Sequence, residues 1–286
     1  MASYLIRVPD HLGDGVMAIP AVAAIAQLGP TVVSGPAWAS RLYGLKNDPD
    51  HPADIGVLMK PSFSAAWSHR HIPKRIGHPG DWRRWLLTDS VEQVDGHRIR
   101  TYRDLAEAVG ATITRGPLFK ATPQEEDSAP RLPDDSVLLL PLSRSQATVG
   151  WPHYRELADR LQGRAVFAAG PGECASLADI AGPHPCLPPL PVGEFAAVAT
   201  QAAAVVGNDS GLAHLAQAAR VAAGLEASTL NVIFGSTSPE KTGPLGCTVH
   251  TTVGHPCAPC YKKRCLLGHN APPCLNVSVD DVLAVL

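Results

Sequence analysis

Asn208-Asp209-Ser210-Gly211-Leu212-Ala213-His214 follows the apolar run Ala202 to Val206 and leads into Leu215-Ala216-Gln217-Ala218. A buried strand that breaks into a short polar turn and reopens as a helix leaves amide N–H groups pointing outward, and small side chains let a diphosphate approach them. The stretch reads as the nucleotide seat of an α/β fold. The front of the chain repeats the arrangement: Tyr4-Leu5-Ile6-Arg7-Val8 runs into Pro9-Asp10-His11-Leu12-Gly13-Asp14-Gly15, and helical spacing follows from Val16 to Leu28. Two strand-loop-helix modules, one near each end, imply two facing Rossmann-like domains with parallel sheets and a cleft between their loops.

Further short apolar runs recur between them: Thr31 to Ser34, Ile55 to Met59, Val137 to Leu140, Ala165 to Ala168, Ala203 to Val206 and Leu230 to Phe234. Most are bounded by Gly, Pro or Asp, as expected of parallel strands buried on both faces. A chain of 286 residues that is 45% hydrophobic has material for two packed cores. The polar, Pro-flanked stretch Thr122 to Pro130 places the boundary, giving domains of 1–127 and 128–286. Val279 to Leu286 has helical spacing with acids in its first turn and is expected to be a short closing helix.

A net charge of −2 with no long run of either sign gives no general attraction to nucleic acid. Only Arg7 precedes an interrupted apolar stretch at the N-terminus, and no apolar segment reaches the ~18 residues of a membrane span. The expected location is the cytoplasm. A lipid-linked acceptor would require peripheral contact with the inner membrane, for which the basic segment His69-Arg70-His71 through Lys74-Arg75, continued by Arg83-Arg84, offers itself; a solvated loop accounts for it equally.

Asp14, at the mouth of the first loop, is placed to take a proton from an acceptor hydroxyl attacking an anomeric carbon, although Asp is also favoured as a helix N-cap there. Departure of a nucleoside diphosphate needs stabilisation of growing phosphate charge, which helix-start amides and nearby hydroxyl or cationic groups supply without a metal. Ser210, Gly211, Leu212 and His214 are the candidates, with a core histidine at a helix–sheet contact as the other reading of His214. Thr237, beyond the strand Leu230 to Phe234, reaches the donor or caps a helix.

The chain carries an ordered set of motifs: Arg7-Val8-Pro9 and Leu12-Gly13-Asp14 followed by Met17-Ala18-Ile19-Pro20-Ala21; Lys60-Pro61-Ser62-Phe63-Ser64-Ala65-Ala66 and Arg75-Ile76-Gly77; Tyr102-Arg103-Asp104-Leu105 before Gly110. Gly150-Trp151-Pro152, Gly170-Pro171-Gly172-Glu173, the Asn208 to His214 segment, Phe234 to Pro239 and Thr242-Gly243-Pro244 follow. Together they resemble glycosyltransferase family 9, the ADP-heptose-dependent heptosyltransferases of the two-domain GT-B fold. The resemblance implies an acceptor-binding N-terminal domain, a nucleotide-sugar-binding C-terminal domain and a catalytic Asp in the Gly13-Asp14 loop. It further implies donor diphosphate contacts from the Ser210 segment with Asp209 just before it, a ribose-binding carboxylate at Glu173, which suits a vicinal diol by accepting two hydrogen bonds, and Leu190 beside the adenine. An exposed helix-start Glu and a plain loop residue are the other readings of Glu173 and Leu190. The family commonly has a Lys two residues before the Trp-Pro pair; here that position is Val149, and Arg144, in Ser143-Arg144-Ser145 on the same loop, would bring the phosphate its cation or is a surface Arg.

Four of the seven cysteines form Cys257-x2-Cys260-x4-Cys265-x8-Cys274. In a reducing compartment this reads as a structural metal site of zinc or a single iron, closed to substrate, before it reads as reduced thiols or two disulfides. The autotransporter heptosyltransferases within the family carry a four-cysteine iron site, and this chain resembles them. His255 and His269 flank the cluster as substitute ligands, whereas Cys174, Cys186 and Cys247 read as packing residues.

The expected activity is inverting transfer of heptose from an ADP-activated donor to a hydroxyl acceptor (lipopolysaccharide core, glycan or protein), with Asp14 as base and no catalytic metal. A GT-B enzyme with another nucleotide-sugar donor and a non-catalytic nucleotide-sugar-binding scaffold are the alternatives. The cysteine finger would serve a homo-oligomer.

Overall fold

The computed structural model describes residues 1–143, 150–252, 256–265, 267–269 and 272–286. It divides into two compact units, Met1–Leu118 and Phe119–Leu286.

In the first unit the chain order is β1 (Tyr4–Arg7), α1 (Leu12–Ala26), β2 (Thr31–Ser34), α2 (Ala39–Tyr43), β3 (Ile55–Leu58), α3 (Phe63–Ser68), β4 (Lys74–Gly77), β5 (Asp89–Ser90) and α4 (Arg98–Glu107). All pairings are parallel, in the order β2-β1-β3-β4-β5. The apolar run Leu5-Ile6 is buried on both faces, as a central parallel strand requires. One core joins Ile6, Val8 and Val57 of the sheet to Ala18, Val22 and Ile25 of α1 and to Tyr102 and Leu105 of α4. Packing α4 on α1 is what brings Tyr102 to the start of α1.

The second unit contains α5 (Pro123–Ser128), β6 (Val137–Leu140), α6 (Tyr154–Arg160), β7 (Ala165–Phe167), α7 (Cys174–Ala181), α8 (Val192–Gln201) and β8 (Ala204–Asn208). It continues with α9 (Gly211–Ala222), β9 (Leu230–Phe234), α10 (Pro239–Thr242), β10 (Thr248–Thr251) and α11 (Val279–Leu283). Its sheet is again wholly parallel, in the order β10-β9-β8-β6-β7. The core joins Leu139, Val206 and Ile233 to Tyr154, Leu157, Phe167, Leu275 and Val282.

The stretch expected as a linker is instead the short helix α5. Thr122 accepts from the Glu125 amide while the Glu125 carboxylate accepts from the Thr122 amide, a reciprocal cap that the Thr-x-x-Glu spacing encodes. The division therefore falls before this helix, after Leu118, rather than after residue 127. Three strands were not legible in the sequence. Lys74–Gly77 begins with two cations, Asp89–Ser90 is two residues long, and Thr248–Thr251 is an edge strand with one buried side chain, so none shows a continuous apolar run.

Two buried histidines couple this fold to pH. The His69 ring lies between the Ala65 carbonyl (2.8 Å) and the Ser34 hydroxyl (3.2 Å), and His250 Nε2 faces Asn231 Oδ1 at 2.9 Å. Burial holds both below the ordinary histidine value of 6.5. The unfolded chain then takes up protons that the folded chain refuses, so the stability contribution is whole above pH 6.5 and declines as pH falls below it. Thermal unfolding followed from pH 7.5 down to 5 should show this decline, and His69→Gln, which cannot titrate, should flatten it; an unchanged slope would remove His69 as a source.

Candidate functional site

In a doubly wound parallel sheet, ligands seat beyond the carboxyl ends of the strands where the winding reverses. In the first unit that point lies between β1 and β3, the strands on which the connections turn to opposite sides. The loop after β1 carries Gly13 and Asp14, and the loop after β3 carries Lys60. Asp10 joins the two loops, Oδ1 to Arg7 Nη2 at 2.6 Å and Oδ2 to Lys60 Nζ at 2.5 Å. Burial pushes the Asp10 carboxyl upward, but the hydrogen bonds and charges of Lys60 and Arg7 outweigh it and hold the group below its usual value. Motifs fifty residues apart in sequence thus meet at one rim.

Asp14 occupies the first turn of α1. The residue capping that helix is His11, so the capping reading of Asp14 does not hold. Its Oδ1 accepts from the Tyr102 hydroxyl at 2.8 Å and lies 3.8 Å from Arg98 Nε, while Oδ2 has no hydrogen-bond partner among the described residues. The side chain is 29% exposed. Burial first, then the Asp14 charge and hydrogen bond, push the Tyr102 hydroxyl far above its ordinary range, so it stays a donor. Gly15 is needed beside Asp14, because a Cβ there would come within 2.5 Å of the Trp38 ring. Tyr102 and Arg98 were not recognised as partners of Asp14 from sequence; the helical stretch that holds them lies more than eighty residues away, with nothing local to link them.

In the second unit the winding reverses between β6 and β8. Asn208 ends β8 fully buried, accepting from the Trp151 amide (3.2 Å) and the Tyr154 hydroxyl (3.1 Å) and donating to the Pro141 carbonyl. It stitches the loops after β6 and β8 into one rim. Asp209 follows, its Oδ2 accepting from Thr242 Oγ1 at 3.1 Å and its Oδ1 3.9 Å from His214 Nε2. Ser210 caps α9, accepting from the Ala213 amide at 3.4 Å, and Gly211 and Leu212 supply the first helical amides. His214 is 5% exposed, a buried side chain that nonetheless faces the Asp209 carboxylate.

Thr237 does not cap the following helix; Ser238 stands at that position. Thr237 Oγ1 is buried and has no hydrogen-bond partner among the described residues, an orphaned polar atom beyond the end of β9. Ser143 lies just past β6 with its hydroxyl oxygen buried. Glu173 opens α7, where its Oε2 accepts from the Gly170 amide at 2.8 Å, and half-buried Leu190 lies before α8. Arg144, Ser145 and Val149 lie outside the described residues, as does His255. Thr242 and Gly243, quoted above only as a motif, position Asp209: a Cβ at Gly243 would stand 2.6 Å from the Pro239 carbonyl, blocking the turn that delivers Thr242. Cys247 lies in the field of Asp209; burial and then that charge raise its thiol to about 11.

The four clustered cysteines share a neighbourhood without forming a shell. Burial and then the charges of Cys257, Cys260 and Cys265 raise the Cys274 thiol. Among the described residues no group of three or more His, Cys, Asp or Glu side chains is placed to hold a metal ion. Cys174, Cys186, Cys247, Cys260, Cys265 and Cys274 are free thiols. Cys174 and Cys186 are exposed, against the packing role expected of them.

Two parallel sheets, each with its candidate loops at a winding reversal, define a protein of the GT-B class. The sequence profile of glycosyltransferase family 9 (heptosyltransferase) matches residues 50–271, and the chain belongs to that family of glycosyltransferases. Lipopolysaccharide heptosyltransferase 1 of Pseudomonas aeruginosa is 38% identical over 128 residues, a match that takes in 41% of this chain and only 34% of that protein. The structure of E. coli ADP-heptose lipopolysaccharide heptosyltransferase II superposes with a TM-score of 0.75 at 20% identity, over 100% of this chain and 97% of that one. The iron-containing dodecameric glycosyltransferase TibC from enterotoxigenic E. coli gives 0.62 at 16% identity, over 99% of this chain and 75% of its own.

Proposed function

We propose that the protein transfers a heptose from an ADP-activated donor to a hydroxyl acceptor with inversion, the first unit serving the acceptor and the second the donor. The observation that carries this reading is the Asn208–His214 turn at the winding reversal of the second sheet, in a chain of the heptosyltransferase family. The amides of Gly211 and Leu212 at the start of α9 take the leaving diphosphate, and Thr237 Oγ1 gains a partner that it lacks among the described residues. Asp209 holds the turn through Thr242 and His214, and Glu173 and Leu190 receive the ribose and adenine. The acceptor oxygen attacks the anomeric carbon, its proton passes to Oδ2 of Asp14, and the carbon–oxygen bond to the diphosphate breaks with its electron pair leaving on ADP.

A different nucleotide-sugar is the second reading, favoured by Val149 in place of the family's usual Lys. Calorimetric titration with ADP-heptose, ADP, UDP-sugars and GDP-sugars separates the two: selective binding of the adenine compounds is expected, with at least about tenfold preference (~1.4 kcal/mol), and preference for uridine or guanosine would overturn it. For the four cysteines the proposal is a structural iron or zinc, supported by thiol spacing and by the iron-containing relative. Elemental analysis of the same sample, finding about one ion per chain or none, decides it.

A further inference from the structure

Three of the five tryptophans lie within nineteen residues, at Trp67, Trp82 and Trp85, and all three reach solvent. Trp82 is 92% exposed, Trp85 67%, Trp67 46%, and Phe63 beside them 39%. Phe63, Trp67 and Trp85 form one patch: the Phe63 ring is 6.0 Å from both indoles, stacked on the first and tilted to the second, and Trp82 stands three residues before Trp85 in the chain. A soluble surface scatters single apolar side chains; three exposed indoles together mark a place where something docks. The backbone contributes to the display, since Asp81 and Trp82 are consecutive non-glycine residues with positive φ, at 48° and 57°. None of these side chains belongs to the machinery at Asp14, though the patch shares its rim, beyond the carboxyl ends of β3 and β4.

The charge around the patch selects the partner. Residues 63–85 hold five of the 24 Lys and Arg residues but one of the 26 acids, in a chain that is net negative. The basic segment is not the uniform cationic surface its sequence suggested. His69 and Arg83 are buried, Arg83 donating to the carbonyls of His78, Lys60 and Leu58, and Arg75 turns onto the carbonyls of Leu86, Ile72 and Pro73. What faces outward is Arg70, over the Trp67 ring at 4.4 Å, with Lys74; Arg84 is also exposed but is paired with the Glu92 carboxylate at 3.1 Å. Exposed indoles rimmed by exposed cations match the interface of an anionic bilayer, where Trp buries its ring at headgroup level while keeping its N–H wet and cations meet lipid phosphates. A sugar-stacking platform would instead need acidic or amide side chains in the ring plane, and Asp81 alone supplies an acid within this segment.

We propose that Phe63, Trp67, Trp82 and Trp85 form an interfacial anchor that seats the first unit on an anionic lipid bilayer. No helix of the described residues is long and apolar enough to cross a membrane, so the contact is peripheral. The inference stands apart from the donor chemistry, because membrane seating is read without nucleotide and donor binding without lipid.

The test is co-sedimentation of the full chain with vesicles of phosphatidylcholine alone and of phosphatidylcholine with phosphatidylglycerol in roughly equal parts, alongside tryptophan emission. Pelleting with the anionic vesicles, a blue shift on binding and weakening by salt are expected, with about tenfold less binding to the neutral vesicles. The double variant Trp82→Ser with Trp85→Ser should lose about tenfold or more in partition while its thermal midpoint stays put, both side chains being exposed. Arg70→Gln with Lys74→Gln should weaken only the anionic arm. Equal pelleting of parent and double variant, or no pelleting of the parent, overturns the proposal. So does emission quenching by a soluble oligosaccharide without lipid, which marks a glycan platform, or self-association that the double variant abolishes, which marks a contact between copies.

Discussion

Asp14→Asn should bind the nucleotide-sugar donor as the parent does and transfer sugar about 10²- to 10⁴-fold more slowly. The substitution is close to isosteric, and its amide oxygen still accepts from the Tyr102 hydroxyl that holds the carboxylate at 2.8 Å. What vanishes is the basicity of the second oxygen, which has no hydrogen-bond partner among the described residues and is the one available for the acceptor's proton. Tyr102→Phe gives the contrasting result. It removes a positioning contact and leaves the carboxylate ionisable, so turnover should fall by only about tenfold, with the carboxylate free to rotate. Single-turnover transfer measured beside calorimetric donor affinity checks both. Asp14→Asn turnover within tenfold of the parent would remove Asp14 from the role of base and favour the scaffold reading.

The difference between those two variants also marks what could be read in the sequence. The local structure of the candidate site was legible where contiguous residues carry it: the Gly13-Asp14 turn entering α1, and the Asn208–His214 turn with its Ser cap. Both follow from a buried strand giving way to a helix, a pattern that local sequence states outright. The supporting contacts were not. Tyr102 to Asp14, Lys60 to Asp10, Thr242 to Asp209 and Asn208 to the Pro141 carbonyl each span from thirty-three to eighty-eight positions, and each depends on which strands become neighbours. Neither sheet order nor the helix packing that follows from it is written in any one window. The basic run after Ser68 was legible only in part: charge alone does not say which guanidinium will turn inward to satisfy strand-end carbonyls, as that of Arg83 does. The aromatics interleaved with that run held the clearer signal, since indoles absent from the core must face something else.

Arg220→Met should destabilise the second unit by about 3 kcal/mol, because it breaks a buried polar cluster without replacing any of it. Arg220 is 1% exposed. Its guanidinium donates to the carbonyls of Ala199 (2.8 Å), Ala202 (2.7 Å) and Ala203 (3.0 Å) and to Thr229 Oγ1 (2.6 Å from Nη2, 3.2 Å from Nε). The first two acceptors belong to the end of α8, whose last carbonyls have no intrahelical partner and carry the negative pole of the helix. Burial lowers the Arg220 pKa, the mark of a charge held at a desolvation cost that these carbonyls offset. Met keeps the apolar stem but leaves the carbonyls and the Thr229 hydroxyl unanswered, whereas Lys, with one ammonium, cannot span all four acceptors and should lose about half as much. For a unit of this size the expected fall in thermal midpoint is roughly 6–12 °C for Met. The same arginine fixes the far end of α9, the helix whose first turn forms the proposed diphosphate seat. Well below the unfolding temperature donor affinity should therefore change little, since Arg220 lies about 15 Å along the helix from Ser210. A midpoint within about 2 °C of the parent would mean that solvent or a rearranged neighbour satisfies those carbonyls. A weakened donor affinity at low temperature would instead show that the helix end is held in register from Arg220 down to the turn that seats the nucleotide.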